Sequence, residues 1–127
     1  MQGKIYGERN ALRAKRSALS DALHASAVES FGLPVEKRFH RFIGFDAGDF
    51  VYPEGRSADY TIVEILMFEG RSVEAKKRFY ASFYARWEEL GKSADDLEII
   101  IVETPRHDWG IRGLPGDELP LTYTVET

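Results

Sequence analysis

Two glycines, Gly32 and Gly91, stand 59 residues apart, and each closes the same local pattern. In the first copy, Lys4–Tyr6 reads as a short strand at the start of the chain. Leu12, Leu19, Leu23, Ala27 and Phe31 then fall at helical spacing and make one apolar stripe. Gly32 ends that helix, and Pro34 keeps it ended. RFHRFIGF at 38–45 alternates aromatic residues and reads as a strand. In the second copy, YTIVEILMF at 60–68 is a strand. Ser72 caps a helix with Glu74 in its first turn, and Phe79, Phe83, Trp87 and Leu90 form its stripe. LEIIIVE at 97–103 reads as a buried strand. The pattern is therefore strand, helix, strand, twice over: residues 1–45 and 60–104, joined by a polar connection at 46–59 and followed by a tail at 105–127.

This repeat restricts the fold. A strand that returns parallel through a helix crosses right-handed. Two such units join into one four-stranded mixed sheet with both helices on one face, an α/β fold in a single domain of 127 residues. The strands IVEILMF and LEIIIVE alternate poorly, which implies burial on both faces. Covering the second face requires further copies of the chain, so an oligomer is expected. The tail is rich in turn residues and closes on a β-like LTYTVE at 121–126. It is expected to wrap a neighbour or cap a pocket.

Composition removes several classes of function. A net charge of −4 gives no general attraction to nucleic acid or anionic lipid. The basic run Arg9, Arg13, Lys15 and Arg16 reads as a solvated helix face or as ion-pair partners. No segment approaches the apolar length that spans a membrane, and no basic-then-apolar signal region opens the sequence. With no cysteine there is no disulfide framework and no thiol chemistry, and a cytoplasmic location is expected. His24, His40 and His107 are scattered without ligand spacing, so no metal and no cofactor are expected. EGRS occurs at 54–57 and 69–72, and neither copy has the spacing of a phosphate loop.

The ordered set LSDALHASAVESFGLP at 19–34, KRFHRF at 37–42, FEGRSVEAKKRFY at 68–80 and HDWGIRG at 107–113 resembles the tautomerase superfamily. It is most similar to the long members of that family, the group around malonate semialdehyde decarboxylase. The resemblance covers nearly the whole chain. It implies the tautomerase fold, a homotrimer, and a site at the amino end of the first strand, where a terminal proline acts as base or acid and arginines hold a substrate carboxylate. In this sequence the proline's position falls on Met1, and the first proline is Pro34. Gln2 is bulky, so Met1 is expected to be retained.

The Met1 α-amine offers its own chemistry. A free terminal amine titrates near ~7.7–8.0, and burial or a nearby cation lowers that. As a primary amine it can also condense with a carbonyl. Against this stands the loss of the rigid ring, which leaves an ordinary strand start. The resemblance matches Arg71 to a carboxylate-binding arginine, a role its guanidinium fork suits. The decarboxylase's second arginine falls on Glu69, and Arg112 is the candidate to replace it. Lys37 stands where the decarboxylase has a water-orienting aspartate. It cannot accept a hydrogen bond while protonated, so decarboxylation or hydration by that route is not expected, and anion binding or an ordinary surface lysine are the readings left open. Trp109 and Ile111 match the motif that walls the family's pocket, with an interface packing role open for Trp109. His40 faces either the pocket or an interface, depending on strand register.

Two functions remain open. One is a tautomerase-type enzyme acting on small carboxylate-bearing keto or enol compounds through the Met1 amine. The other is an inactive binding or structural member, assembling with itself or with a proline-bearing paralogue. Nucleic acid and membrane are not expected partners.

Overall fold

The computed structural model describes residues 1–125. Its first strand, β1, runs Gln2–Glu8, longer than the short segment read from sequence. The Glu8 carboxylate then accepts from the amides of Asn10 and Ala11, at 3.2 and 2.9 Å, and so starts helix α1, Arg9–Phe31, without an intervening loop. Gly32 ends α1 in the left-handed conformation, φ 65°, which lets its amide reach back to the Val28 carbonyl. Strand β2 is His40–Phe45. The second unit repeats the order: β3, Thr61–Phe68; α2, Val73–Glu89; β4, Leu97–Thr104. Ser72 caps α2, its hydroxyl accepting from the Ala75 amide.

The four strands form one sheet in the order β2-β1-β3-β4. Each repeat pairs its own strands in parallel, and the two repeats meet through the antiparallel pair β1–β3, with Ile5 opposite Val63. This is the architecture expected from the repeat. Both helices cover the same face. Leu12, Leu19, Leu23, Ala27 and Phe31 of α1 join Phe79, Phe83 and Trp87 of α2 over Ile5, Val63 and Ile65 in one core. The rings of Phe31 and Phe79 lie 4.9 Å apart, where the two helices meet. Burying a side chain of this size contributes roughly 1.5–3 kcal/mol.

Several expectations are corrected or narrowed. Leu90 is not part of the buried stripe: it is the C-cap of α2 and is 37% exposed, because the helix stops one residue earlier. Within one copy the helices cover one face of LEIIIVE, and the other face is the one expected to be covered by further copies. Ile100 and Val102 stand on the face of the sheet away from the helices and are 44% and 40% exposed. Of the two readings of the basic run, Lys15 takes the ion-pair one and not the solvated face. It is buried, donating to the Asp59 carbonyl at 2.9 Å and pairing with the Asp59 carboxylate, with its ammonium above the Trp87 ring. No strand forms at 121–125, and residue 126 of that expectation lies outside the described residues. The tail instead carries a small hairpin, β5 at Gly110–Ile111 and β6 at Leu114–Pro115.

Because β1 and β3 are antiparallel, the two repeats point their first strands at opposite ends of the sheet. One end collects the start of β1, the approach to β2, the close of β3 and the exit of β4. At the other end Tyr60, the repeat counterpart of Met1, is buried against Phe50 and Tyr52, with ring centroids 5.7 and 5.3 Å away.

Candidate active site

Strand pairing brings the predicted residues to one place. The Gly3 amide donates to the Phe39 carbonyl at 2.8 Å, which fixes the 36–39 segment beside the chain start. The sheet then delivers Phe68 from the end of β3 and the Arg106–Arg112 segment from beyond β4. A cleft of about 670 Å³ opens there. Met1, Lys37, Trp109, Ile111 and Arg112 all line it. Phe39, Phe68 and Tyr123 join Trp109 as aromatic wall, so the cleft sets the charges of Lys37, Arg112 and Glu36 among mostly apolar residues, as small-molecule sites do.

The Met1 amine is the most perturbed group in the cleft. Its pKa falls from 8.0 to about 6, chiefly through burial, then through the charges of Arg71 and Lys37. At neutral pH it is largely uncharged, with its lone pair available. Trp109 is held by two contacts: its indole N–H donates to Thr104 Oγ1 at 2.6 Å, and its ring meets Phe68 edge-on at 5.2 Å. Arg112 sits in the β5–β6 turn with φ 50°, followed by Gly113 at φ 86°. Two successive positive φ values are those of a tight hairpin turn. Among the described residues Arg112 is the one non-glycine residue with positive φ, and side chains there carry a strain of about 1 kcal/mol.

Two expected residues lie elsewhere. His40 pairs with Gly3 in the register, which puts it on the helix side of the sheet; its Nδ1 lies 2.7 Å from Ser20 Oγ on α1. It does not line the cleft. Arg71 is close enough to lower the Met1 pKa, yet it is buried, 8% exposed, and does not line the cleft. Its Nε donates to the Val125 carbonyl at 2.6 Å, and its guanidinium lies over the Phe31 ring.

Arg106 escaped the sequence reading. Its Nε donates to the Gly116 carbonyl at 3.1 Å and its Nη2 to the Leu119 carbonyl at 3.0 Å, with the guanidinium over Phe68. It thereby folds the tail across the cleft. Phe68, at the end of the strongest β run, was visible as a strand residue and not as a wall. Among the described residues no three His, Asp or Glu side chains group as metal ligands do.

A duplicated β-α-β unit joined into one four-stranded sheet, with a cleft at one end, defines a class, the tautomerase-fold proteins. Residues 37–112 match the family model described as tautomerase enzyme, and the chain belongs to that family. A probable tautomerase of Ralstonia nicotianae is 33% identical over 55 residues, 42% of this chain and 79% of that protein. The solved structures of malonate semialdehyde decarboxylase, in wild-type, mutant and inactivated forms, are similar with a TM-score of 0.83. They share 26% identity and cover 94% of this chain and 100% of that one. A fused 4-OT wild-type symmetric trimer has the same fold, with a TM-score of 0.77 at 23% identity over 92% of this chain and 97% of that one.

Proposed function

We propose that this protein moves a proton on small carboxylate-bearing keto or enol compounds, with the Met1 α-amine as the base. The carrying observation is the amine itself: Met1 lines the cleft, and burial with the charges of Arg71 and Lys37 brings its amine to a pKa near 6. A base with that pKa is free at neutral pH and still strong enough to take a proton made acidic by an adjacent carbonyl. Lys37 and Arg112 hold the carboxylate from the cleft wall, and Trp109 and Phe68 keep water from the reacting atoms. The amine takes the proton from carbon or from the enol oxygen and returns it to the other, so nothing is gained or lost overall. Met1 lacks the rigid ring of a proline, so a slow rate belongs to this reading.

The chain acts as a trimer of identical copies in this reading. The trimeric fused 4-OT neighbour and the exposed Ile100 and Val102 on the outer face of the sheet support that assembly. Among the described residues no helix is long and apolar enough to cross a membrane, and a cytoplasmic setting is part of the same proposal.

The test is an ultraviolet assay of enol-to-keto conversion on phenylenolpyruvate, with the amino terminus checked by intact mass. Conversion above buffer that falls when the amine is blocked by acetylation supports the base. No conversion by the native chain and none by Met1→Pro sinks the enzymatic reading for this substrate class. If Met1→Pro alone is active, the native cleft is a binding site that has lost its catalyst. That second reading draws on the aromatic cleft with its cations and needs no proton transfer.

A further inference from the structure

The cleft wall that carries Glu36, Lys37 and Phe39 is a loop, with neither helix nor strand from Gly32 to Phe39. A loop places a side chain only as well as its anchors allow. Among the described residues three hydrogen bonds tie 35–39 to other parts of the chain. The Gly3 amide donates to the Phe39 carbonyl at 2.8 Å, at the edge of the sheet. Arg38 pairs with Asp21 at 2.5 Å, but both side chains are exposed, and such pairs contribute little. The third anchor is His24 on α1, whose Nε2 lies 2.6 Å from the Val35 carbonyl. His24 is 3% exposed, so this is the buried anchor, and it grips the loop two residues before Lys37.

That anchor works against the stability of the fold. A carbonyl only accepts, so Nε2 of His24 carries the ring's proton and Nδ1 is left as a bare acceptor. Nδ1 is buried, and among the described residues nothing bonds to it, a destabilising state for a polar atom. Val35 is 73% exposed, so water can replace the imidazole at its carbonyl. An apolar side chain at position 24 would remove the orphaned nitrogen and leave no new one buried. What the imidazole supplies is therefore position. We propose that His24 is a positioning residue: through the Val35 carbonyl it fixes the loop that presents Lys37 to the cleft, and so fixes the charge that Lys37 exerts on the Met1 amine. The catalytic value of this tether rests on the function proposed above; the tether itself does not. The amine's low pKa comes from burial, Arg71 and Lys37, and not from His24, so a His24 variant can move it only through the wall.

Trace acetylation of the full chain by acetic anhydride across pH, read by peptide mass spectrometry, titrates the Met1 amine without any substrate. His24→Met is expected to raise its pKa by about half a unit, in the direction of Lys37→Met and no further. His24→Gln keeps an N–H at the Nε2 position and is expected to restore the native value. His24→Asn, whose amide stops at the Nδ1 position, is not. In a Lys37→Met background His24→Met is expected to add no shift, since both act through the same charge. The urea midpoint of His24→Met is expected at or above the native one. An unchanged pKa in His24→Met, a Gln variant no closer to native than the Met variant, or a full further shift in the Lys37→Met background overturns the tether. A His24→Met chain that does not fold, or melts well below the native midpoint, overturns it too and returns His24 to the core. The enzymatic reading is decided apart from this: a native chain without enol conversion ends that reading, while the titration still decides the tether.

Discussion

Ser20 Oγ lies 2.7 Å from Nδ1 of His40, while the other ring nitrogen of His40 is buried without a partner. Burial, with the neighbouring His24 and Arg38, drives the His40 pKa from 6.5 to about 4. The unfolded chain therefore binds a proton between those values that the folded chain refuses. Stability from this residue is complete above pH 6.5 and is lost as pH falls towards 4. Urea melts across that window are expected to show the slope in the native chain and a flatter one in His40→Asn. Equal slopes would assign the acid sensitivity to other groups.

The Met1 amine gives the cleft its own pH signature. Its neutral form is the base, so the proposed rate rises with pH and levels off above an inflection near 6. Arg71 and Lys37 both hold that inflection down, Arg71 the more strongly. Lys37→Met is expected to move it upward and Arg71→Met further, as read from kcat/KM against pH. A fixed inflection in both variants would remove the amine from the rate.

Arg112 trades stability for position. Glycine adopts its φ of 50° without penalty, so Arg112→Gly is expected to stabilise the fold by about 1 kcal/mol while weakening carboxylate binding several-fold. Thermal unfolding and benzoate calorimetry on the same sample check both halves. A variant that is less stable and binds as well would refute the assignment.

Gly116 is intolerant of a side chain for a steric reason. A Cβ there would run into the Arg106 carbonyl oxygen, a backbone atom with nowhere to go. Gly116→Ala is expected to break the Gly116 amide bond to the Trp109 carbonyl, 2.7 Å in the native chain, at a local cost of about 1–3 kcal/mol. Of the two tryptophans, Trp87 is fully buried, so acrylamide quenching reports Trp109 and is expected to increase. Unchanged quenching would show that the hairpin tolerates the methyl group.

Val102, opposite Leu66 on the uncovered face of the sheet, is 40% exposed in one copy. A charge there is incompatible with a packed interface. Val102→Glu is expected to reduce the mass in sedimentation equilibrium from three times 14.4 kDa to one. A native chain that sediments as a monomer at micromolar concentration would end the trimer proposal.

The fold was legible because its evidence is periodic. The stripe from Leu12 to Phe31, the Ser72 cap and the left-handed Gly32 are local features, and burial, capping and φ agree with each. Leu90 fits the same spacing, yet the helix ends before it, since periodicity locates a face more surely than a boundary. The cleft was partly legible. Lys37, Trp109, Ile111 and Arg112 do gather around Met1. His40 does not, because only the pairing with Gly3 decides its face, and a shift of one residue would reverse it. Lys15 finds Asp59, and Arg106 finds the Leu119 carbonyl, through contacts between distant parts of the chain that carry no local signature.

The antiparallel seam between β1 and β3 has a consequence for how the protein can change. Met1 and Tyr60 are counterparts in the repeat, yet a strand's length of about 20 Å separates them. Substitutions that far apart act independently. The duplication has thus uncoupled its halves: mutations can retune the cleft end while Tyr60, packed between Phe50 and Tyr52, goes on serving as masonry. On the proposed function, selection on the cleft and selection on folding fall on different ends of the same sheet.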